Sequence, residues 1–363
     1  MSSQDLLARI RLIRTPSIGP ITFRQLIARF GSAEAALAAV PDLAARGGGR
    51  APAVFAEGAA RREMEQVEKL GGRYLLAGQG LYPRALAETD GAPPVLIAQG
   101  NVALLDRALV AIVGARNASA AACRFARTLA HELAREDVVV VSGLARGIDA
   151  SAHVGALEGG TIGVIAGGID VFYPPENEGL QRELSERGLV LAEMPPGTEP
   201  RARHFPHRNR IIAGLSAGTV VVEAAPRSGS LITARLAAEM GREVMAVPGS
   251  PLDPRAQGCN GLIRDGATLI QNAAEVLDAV GPGATGRVRA PAVPFLGPEP
   301  AAEPEADERA RVEELLGPTP APIDDIVRMS GLSSGAVQLI LLEFDLGGRL
   351  DRHAGGKVSL RMA

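Results

Sequence analysis

The sequence predicts an α/β protein in which a doubly wound, mostly parallel sheet lies between two smaller helical domains. Between residues 73 and 280, short aliphatic runs alternate with stretches of helical periodicity, and several runs are apolar at every position. Such runs are typical of strands buried on both faces of a parallel sheet. We therefore divide the chain into a helical domain at 1–72, the sheet domain at 73–280, a proline-rich linker at 281–306 and a C-terminal domain at 307–363.

The composition is that of a soluble globular protein, with 46% hydrophobic and 22% charged residues. We find neither a signal-peptide core nor an apolar stretch of about 18 residues, so we expect a cytoplasmic protein with no membrane partner. Cys123 and Cys259 lack metal-ligand spacing, so we expect no metal site and no disulfide framework. The sequence predicts no cofactor.

Residues 1–72 predict small helices joined by a tight turn. The periodic segment LLARIRLIR ends at a break from Thr15 to Pro20, and ITFRQLIARF begins a second helix. This arrangement resembles a helix-hairpin-helix, whose turn contacts a nucleic-acid backbone without reading its sequence. A helical bundle that only packs, or that holds a partner domain, explains the residues equally well, so both interpretations stay open.

Several loops after predicted strands are suited to phosphate binding, because the carboxyl ends of parallel strands share one edge of the sheet. After LVAIVG, Gly114 permits close backbone approach and Arg116 supplies charge, although the glycine pattern of a dinucleotide fingerprint is absent. After TVVVEAA, a helix entrance offers amide and hydroxyl donors. A turn that begins at Tyr173 is interpreted as a rigid helix entry.

The most basic stretch is Arg201–Arg210, which holds four arginines, two histidines and no carboxylate in a chain of formal charge -3. Guanidinium groups bind phosphate oxygens, and Phe205 offers a face on which a base can stack. We expect a helix to begin at Arg208, so that backbone N–H groups there favour an anion. The candidate DNA-binding residues are Gly114, Arg116, Arg201, Arg203, Phe205, Arg208, Asn209, Arg210, Ser228, Gly229 and Ser230.

Asp149 and His153 could form an acid–base pair, because they lie four residues apart on a predicted helix. An N-capping aspartate and a packed histidine explain the same spacing. No nucleophile or metal ligand lies nearby in sequence, so structural roles are favoured.

The segment from Ala111 to Ile270 resembles the DNA-processing protein A family (DprA, also called Smf) of bacterial transformation. The matching stretches are VGAR, VSGLARGIDASAH, GTIGVIAGGIDVFYPPEN, FPHRNRIIAGLS, VVVEAAPRSGSLITARLAAEMGREVMAVPG and GCNGLIRDGA. The usual GSR of the family is replaced by Gly114-Ala115-Arg116, which keeps the arginine and loses one hydroxyl donor.

The resemblance implies an extended Rossmann-like domain that binds single-stranded DNA, forms a homodimer and loads the RecA recombinase in natural transformation. It matches Arg116 with the family's DNA-binding arginine, and the Phe205 loop with its DNA-contacting loop. The family often has lysine near that loop. This chain has only two lysines, Lys69 and Lys357, so we expect arginine in that role.

Residues 307–363 resemble a winged helix, a module of many family members. Three helical segments, ERARVEELLG, PIDDIVRMSG and SSGAVQLILLEFDLGG, precede two short segments that can pair as a wing. A winged helix commonly enters the major groove. The third segment carries Glu343 and Asp345 and no basic residue, so we expect a face that DNA repels and a protein-contact or regulatory role.

Two function classes remain. The first is a non-enzymatic protein that binds and protects single-stranded DNA. The second is an enzyme acting on a nucleotide or phosphoribose, with Glu223 or Asp149 as general acid or base and Arg208 as phosphate clamp. Several cationic loop positions without a paired nucleophile or metal cluster favour a groove for a strand over a closed nucleotide pocket.

Overall fold

The computed structural model describes residues 2–281, 303–353 and 355–361. These residues form two compact units. One combines the N-terminal residues up to Met64 with the C-terminal residues, and the other begins at Glu65 and contains the large sheet. Most of the linker predicted at 281–306 lies outside the described residues.

Four helices form the N-terminal part of the chain, as the periodicity predicts. They are α1 (Ser3–Arg14), α2 (Pro20–Phe30), α3 (Ala33–Arg46) and α4 (Glu57–Lys69). The side chains of Ser2 and Ser32 accept hydrogen bonds from backbone N–H groups in the first turns of α1 and α3, which satisfies donors that the helices leave free. Pro20 is the first residue of α2, where the missing N–H of proline is not needed.

The second unit contains a nine-stranded sheet in the order β1-β2-β6-β5-β4-β3-β7-β8-β9. The strands are β1 (Arg73–Leu76), β2 (Val95–Gly100), β3 (Ala108–Gly114), β4 (Val138–Ser142), β5 (Thr161–Ile165), β6 (Leu189–Ala192), β7 (Gly218–Val222), β8 (Glu243–Ala246) and β9 (Thr268–Leu269). Only the pairs β1–β2 and β2–β6 of this sheet are antiparallel. The aliphatic runs form β1 to β8, whereas β9 is too short to produce a recognisable pattern.

Helices cover both faces of this sheet, which explains why several strands are apolar at every position. The helices are α5 (Arg84–Ala87), α6 (Ala120–Arg135), α7 (Ile148–Ala156), α8 (Glu178–Arg187), α9 (His204–Leu215), α10 (Gly229–Glu239), α11 (Gln257–Arg264) and α12 (Ala273–Val280). Val139 and Val141 of β4 belong to the apolar cluster that contains Ile211 of α9. Val138 and Val140 belong to the opposite cluster, with α6 and α7. Alternate residues of β4 therefore pack into two apolar cores, one on each face of the sheet.

The strand order reverses between β3 and β7, which makes this pair the topological switch point of the sheet. Gly114, at the end of β3, is paired with Val222, at the end of β7. A Cβ atom on Gly114 would lie 1.9 Å from the carbonyl oxygen of Val222, so glycine is required for this close approach. The loops that follow the two strands diverge from this point.

The C-terminal residues form a winged helix, as predicted. Its elements are α13 (Ala306–Glu314), β10 (Ala321–Pro322), α14 (Ile323–Ser330), α15 (Ser334–Leu346), β11 (Leu350–His353) and β12 (Lys357–Leu360). The wing is the antiparallel pair β11–β12, with Leu350 opposite Leu360. None of the described helices alone is long and apolar enough to cross a membrane, although α14 and α15 together meet that test of length and composition, with a bend of 118°.

Helix α15 is the helix that commonly enters a DNA groove in this fold, but here it is buried inside its own unit. Leu339, Leu342 and Leu346 belong to the apolar cluster of α1, α2 and α3, whereas other α15 side chains face the rest of the winged helix. A Cβ atom on Gly47 would lie 2.0 Å from the carbonyl oxygen of Glu343, so the residues after α3 contact the α15 backbone. The N-terminal helices therefore cover the face that would enter a DNA groove.

The acidic residues of α15 are not the exposed, DNA-repelling face that the sequence suggested. Glu343 is fully buried and accepts hydrogen bonds from Arg309 Nε at 2.7 Å and Nη2 at 2.9 Å. Asp345 pairs with Arg352 at 3.0 Å and also accepts from the hydroxyl of Thr22 at 2.8 Å. Both carboxylates are neutralised within the unit, so they do not give α15 an exposed negative face.

Replacing Glu343 by glutamine should lower the free energy of unfolding of this unit by about 3 kcal/mol, because a partly buried Arg309 loses its counter-charge. Asp325→Asn is the matched control, since Asp325 pairs with Arg328 at the surface. We expect that control to change stability by less than about 1 kcal/mol. Denaturant unfolding of the full chain measures both variants, and equal effects would contradict a buried ion pair.

Candidate nucleic-acid interface

Several loops meet at the carboxyl ends of the parallel strands, around the switch point. We call this edge the rim; it consists of residues 114–119, 143–147, 171–177, 223–230 and the loop and first turn at 201–207. Leu144 and Glu223, each just after a strand, adopt positive φ angles of 54° and 51°, which non-glycine residues rarely do. Such backbone strain is concentrated at ligand sites in proteins.

Arg116 and Phe205, predicted separately from the sequence, are brought together at the rim. The guanidinium carbon of Arg116 lies 5.0 Å from the centre of the Phe205 ring, within the range of a cation–π contact. Arg116, Arg201 and Arg203 are exposed. Within the described chain no carboxylate forms an ion pair with any of the three, so their charges are available to an anion.

Helix α9 begins at His204, and the expectation that it begins at Arg208 is therefore wrong. In its first turn, the N–H of His204 already donates to the carbonyl oxygen of Arg201 at 2.8 Å, and Pro206 has no N–H. The backbone N–H groups free for an anion are therefore those of Phe205 and His207. The apolar periodicity that suggested the later start covers only the second half of α9. Residues 208 to 210 lie in the helix interior.

Arg208 is a buried charge beneath the rim and not an exposed phosphate clamp. Its side chain passes under the loop after β4, where a Cβ atom on Gly143 would lie 1.6 Å from Arg208 Nη1. Burial lowers the pKa of Arg208 to about 10, and the charge of Asp149 opposes that shift. Arg208 is therefore protonated at neutral pH. Its Nε atom is buried and has no hydrogen-bond partner among the described residues.

Asp149 is not the N-cap that the sequence suggested, because Gly147 holds that position in α7. Its Oδ2 accepts hydrogen bonds from the backbone N–H groups of Gly143 at 3.1 Å and Ala145 at 3.4 Å. Burial raises the pKa of Asp149, and Arg208 acts in the opposite direction. Asp149 thus holds the loop after β4 in place above the arginine.

His153 is locked in the core as a neutral ring. Its Nε2 accepts a hydrogen bond from the backbone N–H of Leu144 at 3.3 Å, and its Nδ1 lies 2.7 Å from the hydroxyl of Thr161. That hydroxyl donates to the carbonyl oxygen of Val140, so Nδ1 carries the proton. Burial lowers the pKa of His153 to about 3, which confirms the structural role favoured from the sequence.

Two further candidates of the basic stretch make contacts inside the domain. Arg210 Nη2 donates to both carboxylate oxygens of Glu193, at 2.6 and 2.7 Å, and both side chains are largely buried. The side-chain amide of Asn209 donates to the carbonyl oxygen of Gly229 at 3.3 Å, which links α9 to the loop after β7. Arg210 and Asn209 therefore fix the rim's shape instead of presenting free charge.

The loop from Ser228 to Ser230 forms the capped start of α10, as expected. Ser228 Oγ accepts from the backbone N–H of Ser230 at 3.4 Å and lies 2.7 Å from its hydroxyl. Gly229 is exposed, with open space where a Cβ atom would lie. The amide of Gly229 and the exposed Arg227 are the groups that this loop offers to a ligand.

Glu223, named above as a possible general acid or base, is hydrogen-bonded to a neighbouring loop. Both carboxylate oxygens of Glu223 accept from Ser119, one from its N–H at 2.8 Å and one from its hydroxyl at 2.5 Å. Burial raises the pKa of Cys259 to about 11, which disfavours a thiolate. Among the described residues, no group of three or more His, Cys, Asp or Glu is placed to hold a metal ion.

Tyr173 is a rim residue that the sequence analysis assigned only to a turn. Its ring centre lies 5.5 Å from that of Phe205, and 46% of its surface is exposed. The available signal was an aromatic residue in the segment that follows β5, in a chain with only 3% aromatics.

Three family models match the chain. The model described as DNA recombination-mediator protein A matches residues 73–281. The model of the DprA-like N-terminal HHH domain matches residues 3–65, and that of the DprA winged helix domain matches residues 297–356.

Individual proteins and solved structures are also similar to this chain. The DNA processing protein DprA of Streptococcus pneumoniae is 48% identical over 198 residues, which cover 54% of this chain and 70% of that protein. An X-ray structure of DprA from Streptococcus pneumoniae covers 61% of this chain and 77% of its own, at 42% identity and a TM-score of 0.58. A structure described as showing the single-stranded DNA binding mode of DNA processing protein A from Helicobacter pylori covers 57% of this chain and 94% of its own, at 31% identity and a TM-score of 0.53.

Replacing His153 by glutamine should flatten the pH dependence of stability below about pH 6.5. Folded His153 stays neutral down to about pH 3, whereas the unfolded chain protonates it. Because the folded pKa is depressed, the stabilisation is complete above the unfolded pKa and is lost as pH falls, by about 1.4 kcal/mol per pH unit.

Denaturant unfolding across about pH 5 to 7.5 gives the slope of unfolding free energy against pH for the wild type and for His153→Gln. His131→Gln, at an exposed histidine, should keep the wild-type slope. A wild-type slope no steeper than that of His153→Gln would contradict a neutral, buried ring.

Proposed function

Because this chain belongs to the DNA recombination-mediator protein A family, we propose that it binds single-stranded DNA along the rim of its sheet domain. The proposal rests on the contact between the guanidinium of Arg116, which forms no ion pair with a described carboxylate, and the ring of Phe205 at the switch point. Exposed cations beside aromatic rings are the combination that single-strand-binding grooves use. The Helicobacter pylori relative, described by its single-stranded DNA binding mode, has the same fold.

The groups on the rim have separate roles in this proposal. Arg116, Arg201 and Arg203 attract phosphates, and free N–H groups at the start of α9 and at Gly229 donate to them. Gly114 permits the loop after β3 to lie against β7, and Ser228 and Ser230 fix the start of α10. Arg208 supplies positive potential from below the rim. Stacking and phosphate contacts read no sequence, so binding should be sequence-tolerant.

The wider role rests on the resemblance to the family. The protein would protect incoming DNA in natural transformation and recombination in the cytoplasm, act as a homodimer, and load the RecA recombinase without enzymatic activity of its own. If both subunits of the dimer bind the same strand, binding at the first rim raises the effective concentration of the strand at the second rim. Sedimentation of the free protein and strand-exchange assays with RecA test these two parts separately.

We expect Arg116→Ala to weaken binding of an oligo-dT strand about tenfold at low salt, because one charged hydrogen bond to phosphate is lost. The slope of log affinity against log salt should shrink by about 0.7, the value for one phosphate contact on a single strand. Fluorescence anisotropy with labelled oligo-dT and its matched duplex measures both quantities.

The control is Arg187→Ala, because Arg187 is an exposed arginine at the end of α8, on the opposite edge of the sheet. It should bind the strand as the wild type does. Equal affinity for strand and duplex would contradict the proposal. Binding of a mononucleotide without binding of the strand would also contradict it and would favour the nucleotide-acting enzyme.

A further inference from the structure

Tyr173 is the most exposed aromatic ring of the rim. Its exposed fraction is 46%, whereas Phe205 is only partly exposed. Large exposed apolar side chains cost solubility unless they serve a contact, and aromatic residues are scarce in this chain. The position of Tyr173 beside Phe205 places it where a bound strand would pass.

Contacts on both sides of Tyr173 hold its loop in position. The side-chain amide of Asn177 donates to the carbonyl oxygens of Leu144 at 2.8 Å and Ala145 at 3.1 Å, which anchors the loop to the segment after β4. Arg146 forms an ion pair with Glu176 across the same two segments. Pro174 is buried. Before the ring, the side-chain amide of Gln181 donates to the carbonyl oxygen of Val171 at 3.2 Å. The backbone on both sides of the ring is therefore held while the ring itself is exposed.

The faces of Phe205 are already engaged by its neighbours. Arg116 lies over the ring at 5.0 Å, and Tyr173 contacts it with ring centres 5.5 Å apart and an angle of 50° between the ring planes. A base inserted between two parallel rings needs a separation of about 7 Å, twice the usual stacking distance of ~3.5 Å. The gap between Tyr173 and Phe205 is too narrow for that, so a base can only lie on an outer face of the pair.

We infer that Tyr173 presents the outer stacking face for a base of the bound strand, and that Phe205 supports it from behind while Arg116 holds the adjacent phosphate. This inference rests on the proposed single-strand function and assigns the base contact within it. It changes the interpretation of Phe205, from the stacking ring itself to the support of that ring. Within the described chain the Tyr173 hydroxyl has no hydrogen-bond partner, so the ring, and not the hydroxyl, makes the contact.

A single tryptophan tests the inference, because the chain contains none. Tyr173→Trp places the only indole at the proposed face, and stacking of an oligo-dT base should quench its emission. Val154→Trp is the matched control, at a position that is 44% exposed in α7 and away from the rim. Its emission should stay unchanged on saturation with the same oligonucleotide.

Affinities then separate the base contact from the phosphate contact. Tyr173→Ala should weaken oligo-dT binding about tenfold, within the range for one stacked base, and Tyr173→Phe should bind as the wild type does. On an abasic strand of equal length, Tyr173→Ala should match the wild type, whereas Arg116→Ala should still bind more weakly.

The outcomes distinguish failure of the inference from failure of the proposed function. If wild type binds no single strand, the function fails. If wild type binds, but Tyr173→Ala binds equally well and the Tyr173→Trp emission does not change, the inference alone is overturned. Emission that changes with protein concentration in the absence of DNA would assign Tyr173 to contact with a second copy and would also overturn it.

Discussion

The buried guanidinium of Arg208 is the interaction around which the rim is built. A charge inside a domain is costly unless neighbouring groups compensate it, and Asp149 provides the nearby negative charge. Asp149 also holds the loop after β4 through two backbone N–H groups, and Gly143 leaves the space through which the arginine passes. The same loop receives the side-chain amide of Asn177, so it also positions the segment that carries Tyr173. Helix α9 and two loops thus share one electrostatic centre.

The two units differ in which candidate binding surfaces they expose to solvent. In the sheet domain, exposed arginines and aromatic rings face solvent at the switch point. In the other unit, α15 is enclosed by the N-terminal helices through Leu339, Leu342 and Leu346, and its carboxylates are paired internally. The presence of a winged helix therefore does not by itself imply a groove-reading contact, because a fold carries no function without an accessible site. The rim is the surface whose chemistry suits a polyanion.

The sequence predicted the sheet domain well, because strands buried on both faces leave runs of apolar residues. It also placed Arg116 in the loop after a strand and Ser228 at a helix entrance, where the structure has them. It misplaced the start of α9, because the apolar periodicity of that helix begins only after its polar first turns. It treated Arg208 and Arg210 as exposed, because basic residues usually are. Their partners, Asp149 and Glu193, become neighbours only through the tertiary fold.

We propose that a single strand lies along the rim of the sheet domain and not on the winged helix. Photo-crosslinking tests it most directly, with oligonucleotides that carry a photoreactive thymine analogue at successive positions, followed by mass spectrometry of the crosslinked peptides. We expect crosslinks in residues 171–177 and 201–207, and none in α15. Crosslinks confined to residues 306–361, with none at the rim, would contradict it.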